Sequence, residues 1–77
     1  MDYIYTFFSH FGAVRFNKEC KKRGLNSALM PVPRSLSSSC GTCCKISGIE
    51  DENELNEFCE SLDENIKDEI EQLWKMK

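Results

Sequence analysis

A change of period at Ser9 constrains this chain most. Residues 3–9, "YIYTFFS", are aromatic and β-branched and read as a strand. Beyond Ser9 the apolar residues fall at helical intervals, with Phe11, Val14, Phe16 and Cys20 expected inward and the Lys/Arg residues outward. Ser9 supplies the side-chain oxygen of an N-cap, because the first backbone N–H groups of a helix have no partner within it. The helix stops at Gly24, and "SALMPV" reads as a second strand. Pro31 and Pro33 each lack a ladder donor, which places them at the end of that strand or on an edge. A strand, a helix and a strand in this order form a crossover, with the two strands parallel and the connection right-handed.

Downstream, Arg34 to Gly41 form a Ser-rich loop without periodicity, and "TCCKIS" is a third strand closed by Gly48. Asp51 or Asn53 caps a second helix, whose Leu55, Phe58, Cys59 and Leu62 share one apolar stripe. Residues 66–77 fit two patterns. Ile66, Ile70, Leu73 and Trp74 continue the helical stripe, whereas Ile70, Gln72, Trp74 and Met76 alternate as a short strand. The order strand–helix–strand–strand–helix gives an α+β fold, and a short C-terminal strand completes a ferredoxin-like two-layer sandwich. Helices on one face leave the other sheet face open to partners. With 77 residues, the expectation is a single small domain over 1–77, its cysteine loop at 33–44.

Composition excludes several classes. At 40% apolar and 30% charged residues the chain is of the soluble globular type. No apolar run approaches the roughly 18 residues of a membrane helix, so no membrane partner is expected. Asp2 and two tyrosines stand where a secretory leader has a basic start and an apolar stretch, so the expected location is the cytoplasm, where thiols stay reduced. Five cysteines, an odd number, also suit a disulfide framework poorly. Residues 1–49 carry seven Lys/Arg against two Asp/Glu, and residues 50–77 carry eleven Asp/Glu against three lysines. The basic half reads as a solvated helix face, and the acidic half would repel a phosphate backbone, so nucleic acid is not an expected partner.

Three cysteines fall within residues 40–44. Cys40 follows three serines and precedes Gly41, at the mouth of a loop entering a strand. Hydroxyls of Ser38 and Ser39, free backbone N–H groups near Gly41 and the charge of Arg34 would favour its thiolate. Cys43 and Cys44 are adjacent in a strand and point to opposite faces. "CGTC" has the spacing of a dithiol redox pair, but such a pair sits at a helix start and none is evident here. Cys40 and Cys43 supply two metal ligands without a second pair, while Cys20 and Cys59 fall on core stripes and His10 reads as a surface imidazole. Neither a metal nor another cofactor is therefore expected. The residues leave open a reactive thiol, a thiol redox or metal-binding module using Cys40 and Cys43, and a plain interaction domain.

"PVPRSLSSSCG", Pro31 to Gly41, resembles the signature of the selenium/sulfur (Se/S) carrier protein-like family of small bacterial proteins. The likeness extends to the aromatic first strand, the helix after it and the whole length of the chain. It implies that Cys40 is a carrier thiol, bearing sulfur or selenium as a persulfide or perselenide. It also implies that Pro31, Pro33 and Arg34 shape the loop and that Ser38, Ser39 and Gly41 surround the thiol. A carrier protein, rather than a free-standing enzyme, takes cargo from a sulfur- or selenium-donating enzyme such as a cysteine desulfurase-like protein and passes it to an acceptor protein. No family role extends to Cys43 or Cys44; that Cys43 resolves the loaded thiol is a reading of its spacing alone.

Overall fold

A computed structural model describes residues 2–36 and 38–76. In chain order the elements are β1 (Asp2–Phe7), α1 (His10–Lys22), β2 (Asn26–Pro31), β3 (Thr42–Ser47), α2 (Glu52–Glu60), α3 (Glu64–Lys67) and β4 (Ile70–Met76). The four strands form one sheet in the order β2-β3-β1-β4. Every paired neighbour is antiparallel. β1 and β2 therefore run parallel with β3 between them, and β3 and β4 run parallel with β1 between them. This is the ferredoxin-like α+β sandwich.

β1 takes a central place because both of its faces are apolar. Tyr3, Ile4, Tyr5, Thr6 and Phe7 are all buried. Tyr3, Tyr5 and Phe7 join Cys44 and Ile46 of β3 in a core roofed by Ala13, Phe16 and Cys20 of α1, Leu55 and Phe58 of α2, and Ile66 of α3. Phe16 is the hub. Its ring lies 4.7 Å from that of Tyr5, 5.2 Å from Phe7 and 5.7 Å from Phe58, within the separations aromatic pairs favour. The alternate residues Ile4 and Thr6 turn to the opposite face, where the register sets Ile4 beside Trp74 and Cys43 beside Met30.

Ser9 caps α1 as expected, its side chain accepting from the Gly12 amide at 3.1 Å. Its hydroxyl also donates to Glu69 Oε2 at 2.8 Å, and the Phe8 amide donates to the Glu69 carbonyl at 2.9 Å. The start of α1 is thereby tied to the residue that precedes β4. Strand β1 ends at Phe7, two residues short of the expected boundary, and Phe8 is exposed.

Phe11 does not face inward; it is 66% exposed, with the Arg15 guanidinium 5.5 Å from its ring centroid. The reason is angular. At 3.6 residues per turn, Phe11 lies roughly 140° around the helix from Phe16 and about 180° from Cys20. The buried stripe runs instead through Gly12, Ala13, Phe16 and Cys20. Val14 is half-buried.

Asp51, not Asn53, caps α2, accepting from the Asn53 amide at 2.9 Å. The C-terminal stretch satisfies both of its patterns in turn. Ile66 is buried from the single turn of α3, and Ile70 then opens β4 as an edge strand. Pro31 closes β2, the opposite edge, where a missing ladder donor is tolerated.

Gly12 permits the close approach of α1 to the residue before β4. A Cβ there would stand 2.5 Å from Glu69 Cβ, a backbone-proximal atom that cannot rotate away. Gly12→Ala is expected to destabilise the fold by about 1–3 kcal/mol, the usual cost of overpacking, read as a lower urea midpoint with an unchanged slope.

Candidate functional site: the cysteine loop

The loop joining β2 to β3 is closed at its base by the Val32 amide donating to the Gly41 carbonyl at 3.1 Å. Next comes a turn, with the Leu36 amide donating to Pro33 O at 3.0 Å. The chain then crosses the end of the sheet. Ser38 Oγ donates to the carbonyl of Phe7, the last residue of β1, at 3.2 Å. Ser39 reaches the far edge, where its amide donates to Glu71 Oε1 at 3.0 Å and its hydroxyl to Glu71 Oε2 at 2.8 Å. Glu71 belongs to β4.

A bulge aims that carboxylate. Thr6 pairs with Gln72 and Phe7 with Ile70, so Glu71 is the extra residue on β4 with no register partner on β1. Bulges of this kind re-aim a side chain and bend the strand.

Cys40 sits at the return of the loop. It is half-buried, and it packs against the core on the helix side of the sheet. Its amide donates to Ser38 Oγ at 3.4 Å, and its thiol donates to the Thr42 carbonyl at 3.3 Å. Ser38 Oγ lies 3.9 Å from the sulfur. Gly41 is the next residue, with φ 76°, a backbone that a side chain would strain, and this turn feeds the chain into β3. Beside it, His10 Nδ1 and Thr42 Oγ1 are 3.1 Å apart, joining the first residue of α1 to the first of β3.

The structure therefore brings Ser38, Gly41 and Cys40 together. Ser39 gives its hydroxyl and its amide to Glu71, not to sulfur. Arg34 is exposed in the turn and makes no ion pair with a described residue. Ser37 lies outside the described residues. Sequence reading missed Glu71 and the contact of His10 with Thr42. Both depend on pairings more than 30 residues apart, and a pattern of alternation carries no signal of them.

The other four thiols lie in different surroundings. All five are free. Cys43 is fully buried on the face away from the helices and points toward the Pro31 carbonyl at 3.8 Å. Burial, then the neighbouring Cys44 and Cys40, push its thiol above the ordinary range. Cys20 and Cys44 are fully buried beneath α1, and the hydrogen bond to Cys44, followed by burial, raises Cys20 strongly. Cys44 is also 3.6 Å from Asn17 Oδ1. Cys59 lies 3.1 Å from the Tyr5 hydroxyl and is raised chiefly by burial. Among the described residues, no three His, Cys, Asp or Glu side chains group as a metal site, and no helix is long and apolar enough to cross a membrane.

The family model described as "Putative Se/S carrier protein-like" matches residues 2–75, nearly the whole chain and all of the loop. No curated protein and no solved structure matches. By that match, this chain with its half-buried loop thiol belongs to the Se/S carrier protein-like family.

Proposed function

We propose that Cys40 carries sulfur or selenium as a persulfide or perselenide and passes it between partner proteins in the cytoplasm, where thiols stay reduced. One observation carries the reading. Of the five thiols, Cys40 alone lies on a loop; it is half-exposed, as is Cys59, but Cys59 is held against Tyr5 within α2, and Cys20, Cys43 and Cys44 are fully buried. Membership of the family supports the cargo class.

The transfer is one thiol–disulfide exchange. The Cys40 thiolate attacks the outer sulfur of a donor persulfide, a new S–S bond forms, and the donor's own S–S bond breaks. The donor leaves as a thiolate with the electron pair, and Cys40 holds the sulfane sulfur. Delivery repeats the step with the acceptor's thiolate attacking that terminal sulfur and Cys40 leaving. For selenium the atoms and electrons balance in the same way. The donor, such as a cysteine desulfurase-like enzyme, and the acceptor protein complete the site. Phe8, 54% exposed next to the carbonyl that anchors Ser38, and Phe11 on the first turn of α1 offer apolar contact to such partners.

Cys43 as a resolving thiol is the second reading, favoured by its place three residues after Cys40. Its thiolate would attack Cys40 of the loaded chain, forming a Cys40–Cys43 disulfide and releasing hydrosulfide. Burial and a raised thiol both oppose that step near neutral pH.

Incubation with a cysteine desulfurase and free cysteine is expected to add the mass of one sulfur atom, which dithiothreitol removes and Cys40→Ser abolishes. An unmodified wild-type chain would contradict the carrier reading, and an intramolecular disulfide in place of the added sulfur would favour the second. Brief iodoacetamide treatment of the folded chain at neutral pH is expected to label Cys40 first. Cys20, Cys43 and Cys44 should react only after denaturation, and labelling of Cys43 as fast as Cys40 would count against a single carrier thiol.

A further inference from the structure

Both donors of Ser39, the residue immediately before Cys40, are occupied by a carboxylate from the same chain. The amide and hydroxyl engage the two oxygens of Glu71 at 3.0 and 2.8 Å, a two-point grip on an anion. Ser38 Oγ, which donates to the Phe7 carbonyl, lies 3.9 Å from Cys40 Sγ, so the segment that grips Glu71 also borders the sulfur. The bulge in β4 is what turns Glu71 toward it. The Ser39 amide, then the Ser39 hydroxyl, hold Glu71 below the ordinary carboxylate range, so the seated form is the anion.

We propose that the amide and hydroxyl of Ser39 form an anion seat next to Cys40, plugged in the unloaded chain by Glu71, and that a small anion carried on or arriving at the Cys40 sulfur takes the seat when Glu71 leaves. The terminal sulfur of a persulfide lies one S–S bond, about 2 Å, beyond Sγ, on the residue that directly follows the seat. Two anions cannot share the seat, because like charges at that separation disfavour one another. Glu71 lies at the solvent boundary, so water replaces its hydrogen bonds when it swings out. That the resident anion is a persulfide or perselenide rests on the proposed function; the seat and its plug do not.

Iodoacetate and iodoacetamide are similar in size and differ in charge, and the ratio of their rates at Cys40 reads the seat directly. It is measured on the full chain by peptide mass spectrometry. Glu71→Ala is expected to raise the iodoacetate-to-iodoacetamide ratio about tenfold, the scale of a charge-assisted hydrogen bond. Adding Ser39→Ala removes the hydroxyl and should return most of that gain. Equal acceleration of both reagents would reduce Glu71 to a tether of the loop. A gain that survives Ser39→Ala would reduce it to general repulsion. Either result overturns the proposal. Glu71→Gln, alone and with Ser39→Ala, repeats the comparison with a near-isosteric side chain should the alanine variant unfold. No sulfur donor enters this experiment, so its failure is distinct from failure of the carrier reading.

Discussion

The centre of the sheet is held by a strand that has no face to spare for water. β1 buries Tyr3, Ile4, Tyr5, Thr6 and Phe7 in succession, and only a strand flanked on both edges can satisfy its backbone while doing so. That demand recruits β3 on one side and β4 on the other, and the split crossovers of the fold result from it. The functional consequence lies at one end of β1. Its last carbonyl, at Phe7, receives Ser38, and its neighbours on either side provide Cys40 and Glu71. Three segments distant in the sequence therefore meet where the central strand stops.

The junction at Ser9 stiffens the same end of the molecule. One hydroxyl caps α1 and grips Glu69, while Gly12 lets Glu69 lie close to the helix. Two residues later Glu71 departs from the ladder and reaches Ser39. A tied Glu69 beside a bulged Glu71 anchors the loop to the β4 edge. His10 holds Thr42 from the other side, so the segment on either flank of Cys40 is tied while the thiol itself remains at the boundary with solvent.

A local cause leaves a local signal in the sequence. Ser9 is an N-cap because an unpartnered amide of α1, that of Gly12, lies within one turn of it, and Cys40 is singled out because serines and a glycine surround it. Phe11 was misplaced because it lies next to the apolar stripe in sequence while standing off it in angle, and exposure of one aromatic ring costs a helix little when Arg15 packs over it. Residues 66–77 resisted a single assignment because they contain both answers, a helical turn and then a strand. The anion that Ser39 holds is not announced by its neighbours in the sequence. The hydroxyl and amide of Ser39 bind negative charge, and the carboxylate that supplies it comes from 32 residues downstream, through a bulge that no alternation of apolar residues announces.

The distribution of thiols suits the chemistry of a carrier. A transferable sulfur must sit where a partner's thiol can reach it, and any second reactive thiol nearby would divert it into a disulfide with release of hydrosulfide. Cys43, three positions from Cys40, is the obvious hazard. It is sealed on the opposite face beside Met30, with its thiol raised by burial, so little of it is thiolate near neutral pH. Cys44 is sequestered beneath α1 with Cys20, and Cys59 beside Tyr5. The pleat of β3 thus sends Cys43 and Cys44 into separate enclosed faces, while Cys40, on the loop before that strand, stays half-exposed.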